Sequence, residues 1–72
     1  MIVLGVPISE EQIAACAAAR KGFFTAWHIA DAARKAGVTG NYVPERVADR
    51  LLQRWRKQGA IRRVRAFWEL TP

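Results

Sequence analysis

The sequence predicts a mainly α-helical domain in which three helices accompany a small antiparallel β-sheet. Apolar residues recur at helical spacing over three stretches, and each stretch is bounded by residues that commonly begin or end helices. After Gly59 the spacing changes to alternation, which is typical of strands. The 72 residues are enough for one domain, which we assign to residues 9–72, preceded by an apolar N-terminal arm at residues 1–8.

The N-terminal arm is an apolar run interrupted by Gly5 and Pro7. It is compatible with a strand, with an arm that crosses the core or with part of a dimer seam, and the sequence does not choose among them. The run has no basic start and is too short for a signal sequence or a membrane span. Because the chain is near the lower limit for folding alone, a homodimer through this arm or the first helix is an expected source of stability.

The first helix is predicted over residues 10–21, because Ser9 and Gln12 have the spacing of a capping box and Gly22 follows as a C-terminal cap. Cys16 lies within this Ala-rich helix and is the single cysteine of the chain. An internal disulfide and a zinc-finger spacing are therefore excluded. We interpret Cys16 as a small core residue, since no nearby His or cationic helix end is evident to activate its thiol.

The second helix is predicted over residues 26–36, after a very short strand at residues 22–25 in which Thr25 becomes the N-cap. Trp27 and His28 fall on the polar side of this helix. Trp27 either packs against the short strand or the arm, or presents an edge to a DNA backbone or a partner. Since helix N-termini present free amides to phosphate oxygens, we place Thr25, Trp27 and His28 among the candidate phosphate contacts.

The third helix organises the rest of the chain and is predicted over residues 44–58, between Pro44 and Gly59. One side is apolar and wide enough to face a core: Pro44, Val47, Ala48, Leu51, Leu52 and Trp55. The opposite side is polar and mainly cationic: Arg46, Asp49, Arg50, Gln53 and Lys57, flanked by Arg54 and Arg56. Guanidinium and amide groups bind phosphates and base edges, although any amphipathic helix has a charged solvent face.

The basic residues are concentrated in the C-terminal part of the chain. Residues 44–72 carry eight basic and three acidic side chains, and the sequence pI is about 10.8. A clustered excess of this sign points to a polyanionic partner. Seven of the eight are Arg, which binds phosphate and guanine through paired hydrogen bonds, so nucleic acid is favoured over an acidic membrane or protein surface.

Residues 61–70 predict an antiparallel hairpin. With Arg65 and Ala66 as its turn, the paired residues are Ile61 and Leu70, Arg62 and Glu69, Arg63 and Trp68, and Val64 and Phe67. This register joins one apolar pair and one ion pair across the strands. Neither turn residue favours a positive φ, so a wider loop remains an alternative. A tight turn would carry Arg63 and Arg65 forward as a small basic prong.

The order of a helix, a connector at residues 37–43 and a basic helix is the helix-turn-helix arrangement. Three segments extend the pattern: GFFTAWHIADAA, VPERVADRLLQRWRKQGAIRRV and FWELT. With them, residues 9–71 resemble the winged helix-turn-helix domains of bacterial and phage transcription regulators. The resemblance is carried by Lys57, Gly59, Ile61 and Arg62, and by Trp68, Leu70 and Thr71. It implies a DNA-binding fold, although winged helices also serve as protein-docking modules.

The predicted function is a small, sequence-specific double-stranded DNA-binding protein, with transcriptional regulation by occupancy as its role. The predicted base contacts are Asn41, Tyr42, Glu45, Arg46, Asp49, Arg50 and Gln53. The predicted phosphate contacts are Thr25, Trp27, His28, Arg54, Lys57, Arg63 and Arg65. The acids Glu45 and Asp49 would accept from cytosine or orient a neighbouring Arg. We expect a cytoplasmic, nucleoid-associated protein.

The alternative is a protein-binding adaptor or a phage-encoded inhibitor that docks on an acidic host protein through the Arg-rich face or Trp27. An enzyme is disfavoured, because one His, one Cys and six scattered carboxylates form no recognisable triad, metal cage or phosphate loop. We therefore expect no catalytic residue, cofactor, metal or small-molecule substrate. Membrane binding is also disfavoured, since the basic face lies opposite the apolar side that the core needs.

Overall fold

The computed structural model describes all 72 residues and contains three helices and two small antiparallel sheets. In chain order the elements are β1 (Ile2–Val3), β2 (Val6–Pro7), α1 (Glu10–Ala18), α2 (Ala26–Lys35), α3 (Val43–Lys57), β3 (Ile61–Val64) and β4 (Phe67–Leu70). The predicted mainly α-helical fold with a small antiparallel sheet is confirmed, and a second small sheet is present at the N-terminus. No helix combines the length and the apolar composition that crossing a membrane requires.

The start of α1 is as predicted, whereas its end is not. The Gln12 amide donates to Ser9 Oγ at 3.1 Å and the Ser9 amide donates to Gln12 Oε1 at 2.9 Å, so the capping box is present. The predicted end at residue 21 is wrong, because α1 stops at Ala18. Past this point the Arg20 Nε donates to the Ala17 carbonyl at 3.0 Å, and its guanidinium lies 4.6 Å from the centroid of the Trp55 ring. The C-cap of α1 is therefore Ala19 and not Gly22.

The helices α2 and α3 match their predicted ranges to within one residue at each end. Pro44 stands in the first turn of α3, where its missing amide donor leaves no hydrogen bond unmade. The residue before α3, Tyr42, has a φ of +63°, which is uncommon for a residue other than glycine. This backbone conformation turns the connector sharply into α3.

One hydrophobic core joins all parts of the chain, and α3 contributes the most residues to it. The predicted inward side of α3 is buried, including Val47, Leu51 and Trp55. Other core residues come from the remaining elements and loops: Val3, Ile8, Cys16, Phe24, Ile29, Ala30, Ala33, Val38 and Ile61. Because its apolar side is covered in this way, α3 must present its polar side outward.

The β3–β4 hairpin has the predicted register, with Ile61 opposite Leu70 and Val64 opposite Phe67. Its turn is the tight one, because Arg65 adopts a φ of +56°. The wider loop is therefore wrong. The short strand predicted at residues 22–25 is reduced to a single β-bridge, in which Phe24 and Trp68 exchange backbone hydrogen bonds of 2.9 and 2.8 Å.

The N-terminal arm folds into a hairpin of its own, with β1 paired antiparallel to β2. Leu4 and Gly5 make its turn, with φ values of +51° and +80°. The Ile8 amide donates to the Met1 carbonyl at 2.7 Å and closes the base of the hairpin. Val3 is 1% exposed, so the arm is a strand pair anchored in the core. Its part in a dimer seam stays a prediction.

Candidate nucleic-acid interface

The outer side of α3 is exposed to solvent from one end of the helix to the other. The side chains on it are Glu45, Arg46, Asp49, Arg50, Gln53, Arg54, Arg56 and Lys57. Five of these eight are basic and two are acidic, so the surface has a positive balance with acids interspersed. We call this surface the α3 outer face.

The N-terminal hairpin borders one side of the α3 outer face. Arg50 Nη1 donates to the Ile2 carbonyl at 3.2 Å, which ties β1 to the middle of α3. Met1 lines a surface depression with residues of the C-terminal half of the helix, including Arg54 and Lys57. Leu4 lines another depression farther toward the start of α3, beside Arg46. β1 therefore runs antiparallel to α3 along its polar side.

The helix α2 borders the other side. Arg34 of α2 forms an ion pair with Glu45 of α3, and both side chains are about half exposed. A second ion pair, between Lys35 Nζ and Asp31 Oδ2 at 3.0 Å, stays within α2. Glu45 was predicted to contact bases, and the structure places its carboxylate in a contact that joins α2 to α3.

Between these two borders lie the side chains that are freest to meet a ligand. Arg46 and Asp49 take part in none of the three ion pairs of the chain. Gln53 Oε1 accepts a hydrogen bond of 3.0 Å from Arg56 Nη2. Arg56 was not among the predicted contacts. Its spacing of three residues from Gln53, which puts both on one side of the helix, was the signal that could have identified it.

The connector before α3 adds two further predicted contacts, Asn41 and Tyr42, and both are exposed. Tyr42 lines the same depression as Leu4 and Arg46. Gly40 in the connector has a φ of +112°, and the side chain of Val43 occupies the space that a Cβ at residue 40 would need. The start of the α3 outer face is thus framed by the ring of Tyr42 and the tip of the N-terminal hairpin.

The β3–β4 hairpin carries three arginines that differ in how they are held. Arg62 Nε donates to Glu69 Oε1 at 2.6 Å, as the cross-strand pairing predicted. The Arg63 guanidinium lies 5.2 Å from the centroid of the Trp68 ring, and its Nε donates to the Arg65 carbonyl at 2.9 Å. Arg65 itself is exposed at the tip with no side-chain partner. The basic prong therefore consists of a free Arg65 supported by Arg63.

The start of α2 holds the remaining predicted phosphate contacts. His28 Nδ1 accepts a hydrogen bond of 3.0 Å from the Thr25 amide, and Thr25 Oγ1 lies 3.0 Å from the same nitrogen. Trp27 is 64% exposed and meets the His28 ring edge to face, with the ring centroids 5.5 Å apart. Packing of Trp27 against the short strand or the arm is therefore wrong, and its ring is open to solvent.

Metal-binding groups and the single thiol are the other possible parts of a functional site. No group of three or more His, Cys, Asp or Glu side chains is arranged to hold a metal. Cys16 is buried with its Sγ 3.7 Å from the Ile29 carbonyl, and burial raises the pKa of its thiol. Cys16 is thus a core residue, as its sequence context indicated.

Comparison of the chain with protein-family models, curated proteins and solved structures gave no match. Its function is therefore inferred from its own residues and their arrangement.

Proposed function

We propose that this protein is a winged helix-turn-helix protein that binds double-stranded DNA with sequence preference and regulates transcription by occupying its site. In this proposal α3 enters the major groove, and the β3–β4 hairpin is the wing. The observation that supports it most is the α3 outer face, which is exposed along the whole helix and carries Arg46, Asp49 and Gln53 between two structural borders. An exposed, mainly cationic helix of this kind suits a groove lined by phosphates.

The arrangement around α3 also supports the proposal. α2 and α3 are linked by a short connector, α3 continues into a two-stranded hairpin, and Phe24 pairs with that hairpin through Trp68. This order is similar to that of winged helix-turn-helix domains. Fold similarity alone does not establish DNA binding, so the assignment depends on the side chains of α3.

The side chains divide into two proposed classes. Arg46, Asp49 and Gln53 are placed to read base edges, and one bidentate Arg contact to guanine is worth about 1–3 kcal/mol of discrimination. Arg50 donates to the Ile2 carbonyl at the border of the α3 outer face. We assign it to holding β1 in position and to contacting the edge of the groove, not to reading bases. The proposed phosphate contacts are Arg54, Arg56, Lys57 and Arg65, with Thr25, Trp27, His28 and Arg63 in support.

Selection of bound oligonucleotides followed by binding measurements tests the proposal. Affinity for the selected site and for random duplex is measured at several salt concentrations. We expect affinity to fall steeply with salt, because phosphate contacts release counterions. Arg46→Ala should reduce the preference for the selected site by roughly tenfold or more. Lys57→Ala should weaken both duplexes alike and lower the salt dependence by about one counterion.

The matched control is Lys21→Ala, which removes the same charge after the end of α1. It should leave both affinities nearly unchanged. Absence of duplex binding at low salt would contradict the proposal, and equal losses for Arg46→Ala on selected and random DNA would contradict the base-reading assignment.

A second candidate function is a protein-binding adaptor, and one observation favours it. Phe23 and Phe67 are both exposed, with ring centroids 6.2 Å apart, and they line an apolar depression together with Val64. Val64 and Phe67 lie on the hairpin and Phe23 lies before α2, so the patch is separate from the α3 outer face. The adaptor becomes the better assignment if no duplex is retained at low salt while a protein partner is lost on Phe67→Ser substitution.

A further inference from the structure

Leu4 is a bulky apolar residue at a position where the fold does not require one. Its φ of +51° is strained for any residue except Gly, Asn or Asp, and its side chain is 60% exposed. The adjacent Val3 is the residue that fills the core. Two-residue hairpin turns of this kind favour Asn-Gly or Asp-Gly, so leucine is unfavourable in this turn, and it is not part of the buried core. Such a residue indicates a role outside the fold.

The position of Leu4 suggests what that role is. Leu4 lines one depression with Tyr42, Arg46 and Asp49, and a second with Arg46 and Arg50. The hydrogen bond from Arg50 to the Ile2 carbonyl holds β1 in this place. The leucine side chain therefore lies beside the residues to which base reading is assigned.

The surroundings of Leu4 favour nucleic acid over a protein partner or a second copy of the chain. Arg46, Asp49 and Arg50 border it, and charged residues are depleted at the centres of protein interfaces. A major groove offers phosphates and base edges to these charges. The one apolar group that it presents on its base edges is the C5-methyl group of thymine.

We propose that Leu4 is a specificity-determining residue that contacts a thymine methyl group next to the base pair read by Arg46. The proposal rests on the DNA-binding function proposed above. It gives the N-terminal hairpin a part in recognition, and the preferred site should contain a thymine adjacent to the guanine that Arg46 contacts.

The test replaces each thymine of the selected site by deoxyuracil, one at a time, which removes the methyl group and leaves base pairing unchanged. For the wild-type protein one replacement should weaken binding by about fourfold, the value of one buried methyl group. Leu4→Ala and Leu4→Asn should bind the thymine site more weakly and show no further loss with deoxyuracil at that position. Because Asn tolerates a positive φ, the second variant keeps the hairpin folded.

The matched control is Ile2→Ala, which removes an apolar side chain that is 65% exposed on the same hairpin. Ile2 lines none of the depressions, and its carbonyl still accepts from Arg50. This variant should keep the full deoxyuracil effect. The inference is overturned if Leu4→Asn keeps that effect, or if light scattering shows that Leu4→Asn instead dissociates a dimer. Failure of the wild-type protein to bind any duplex would overturn the proposed function itself.

Discussion

Gly40 packs against Val43 so closely that a Cβ atom built on Gly40 would lie 2.7 Å from Cγ2 of Val43. Val43 is the first residue of α3 and is buried. Gly40 also has a φ of +112°, a backbone conformation that side chains rarely adopt. The direction in which α3 leaves the connector therefore depends on the absence of a side chain at residue 40.

Substitution of Gly40 by Ala should destabilise the protein by about 2–4 kcal/mol, because backbone strain and overpacking against Val43 add together. The control is Gly22→Ala, where φ is +56° and no atom beyond the neighbouring residues lies within 4 Å of the added Cβ. It should cost only about 1 kcal/mol. Urea unfolding of the two variants measures the difference, and equal losses would contradict the packing argument.

Truncation of Val3 to Ala should lower the free energy of unfolding by about 2 kcal/mol, because its side chain lies in the shared core. Ile2→Ala, on the exposed side of the same strand, should change it by less than about 0.5 kcal/mol. Thermal or urea unfolding provides the comparison. A small effect at Val3 would show that the N-terminal hairpin is not part of the cooperative unit.

Alkylation of Cys16 should be slow in the folded protein and fast in urea. Burial raises the pKa of this thiol and also blocks access to it. The folded state holds the thiol proton more tightly than the unfolded state does. The free energy of unfolding is therefore highest below the ordinary thiol pKa and falls as pH rises above it. Iodoacetamide labelling followed by mass spectrometry measures the rate, and rapid labelling of native protein would be contrary to expectation.

The His28 side chain accepts from the Thr25 amide at the start of α2. His28→Ala should therefore cost about 0.5–1 kcal/mol, since one backbone donor loses its partner. His28→Gln should be less harmful, because a Gln oxygen can take the same place in a capping box. Thermal unfolding of both variants distinguishes this capping role from simple solvent exposure, for which the two substitutions would be equivalent.

Glu45→Gln should tighten binding to all duplexes under the proposed function. The substitution removes a negative charge from the α3 outer face and releases Arg34 from its ion pair. We expect the salt dependence of binding to rise, by about one counterion if Arg34 reaches a phosphate. The loss of stability should stay below about 1 kcal/mol, because the pair is half exposed. Weaker binding to one particular sequence would instead identify Glu45 as a base contact.

Features set by neighbouring residues could be predicted from the sequence. Ser9 and Gln12 form a capping box three residues apart, and the apolar spacing of α3 identified both its buried and its exposed side. The β3–β4 register followed from alternation, with Arg62 opposite Glu69. These signals come from residues that are close in sequence, so they can be recognised without knowledge of the rest of the fold.

Features set by distant residues could not be predicted. Arg50 and Ile2 are 48 positions apart, and no pattern in either segment indicates that β1 lies along α3. The contact of Arg20 with Trp55, just past the end of α1, was also not indicated by the sequence. The borders of the candidate site therefore became known only from the folded chain, whereas its central residues were identified from helix periodicity.

The course of β1 along α3 affects where an affinity tag can be attached. Met1 lines a surface depression with Arg54 and Lys57. An affinity tag fused in front of Met1 would therefore lie over basic side chains whose DNA binding is to be measured. An acidic tag would compete there with any polyanion and mimic weak binding. Pro72 is exposed and lines none of the depressions. A tag attached after Pro72 is therefore the better choice for recombinant preparations.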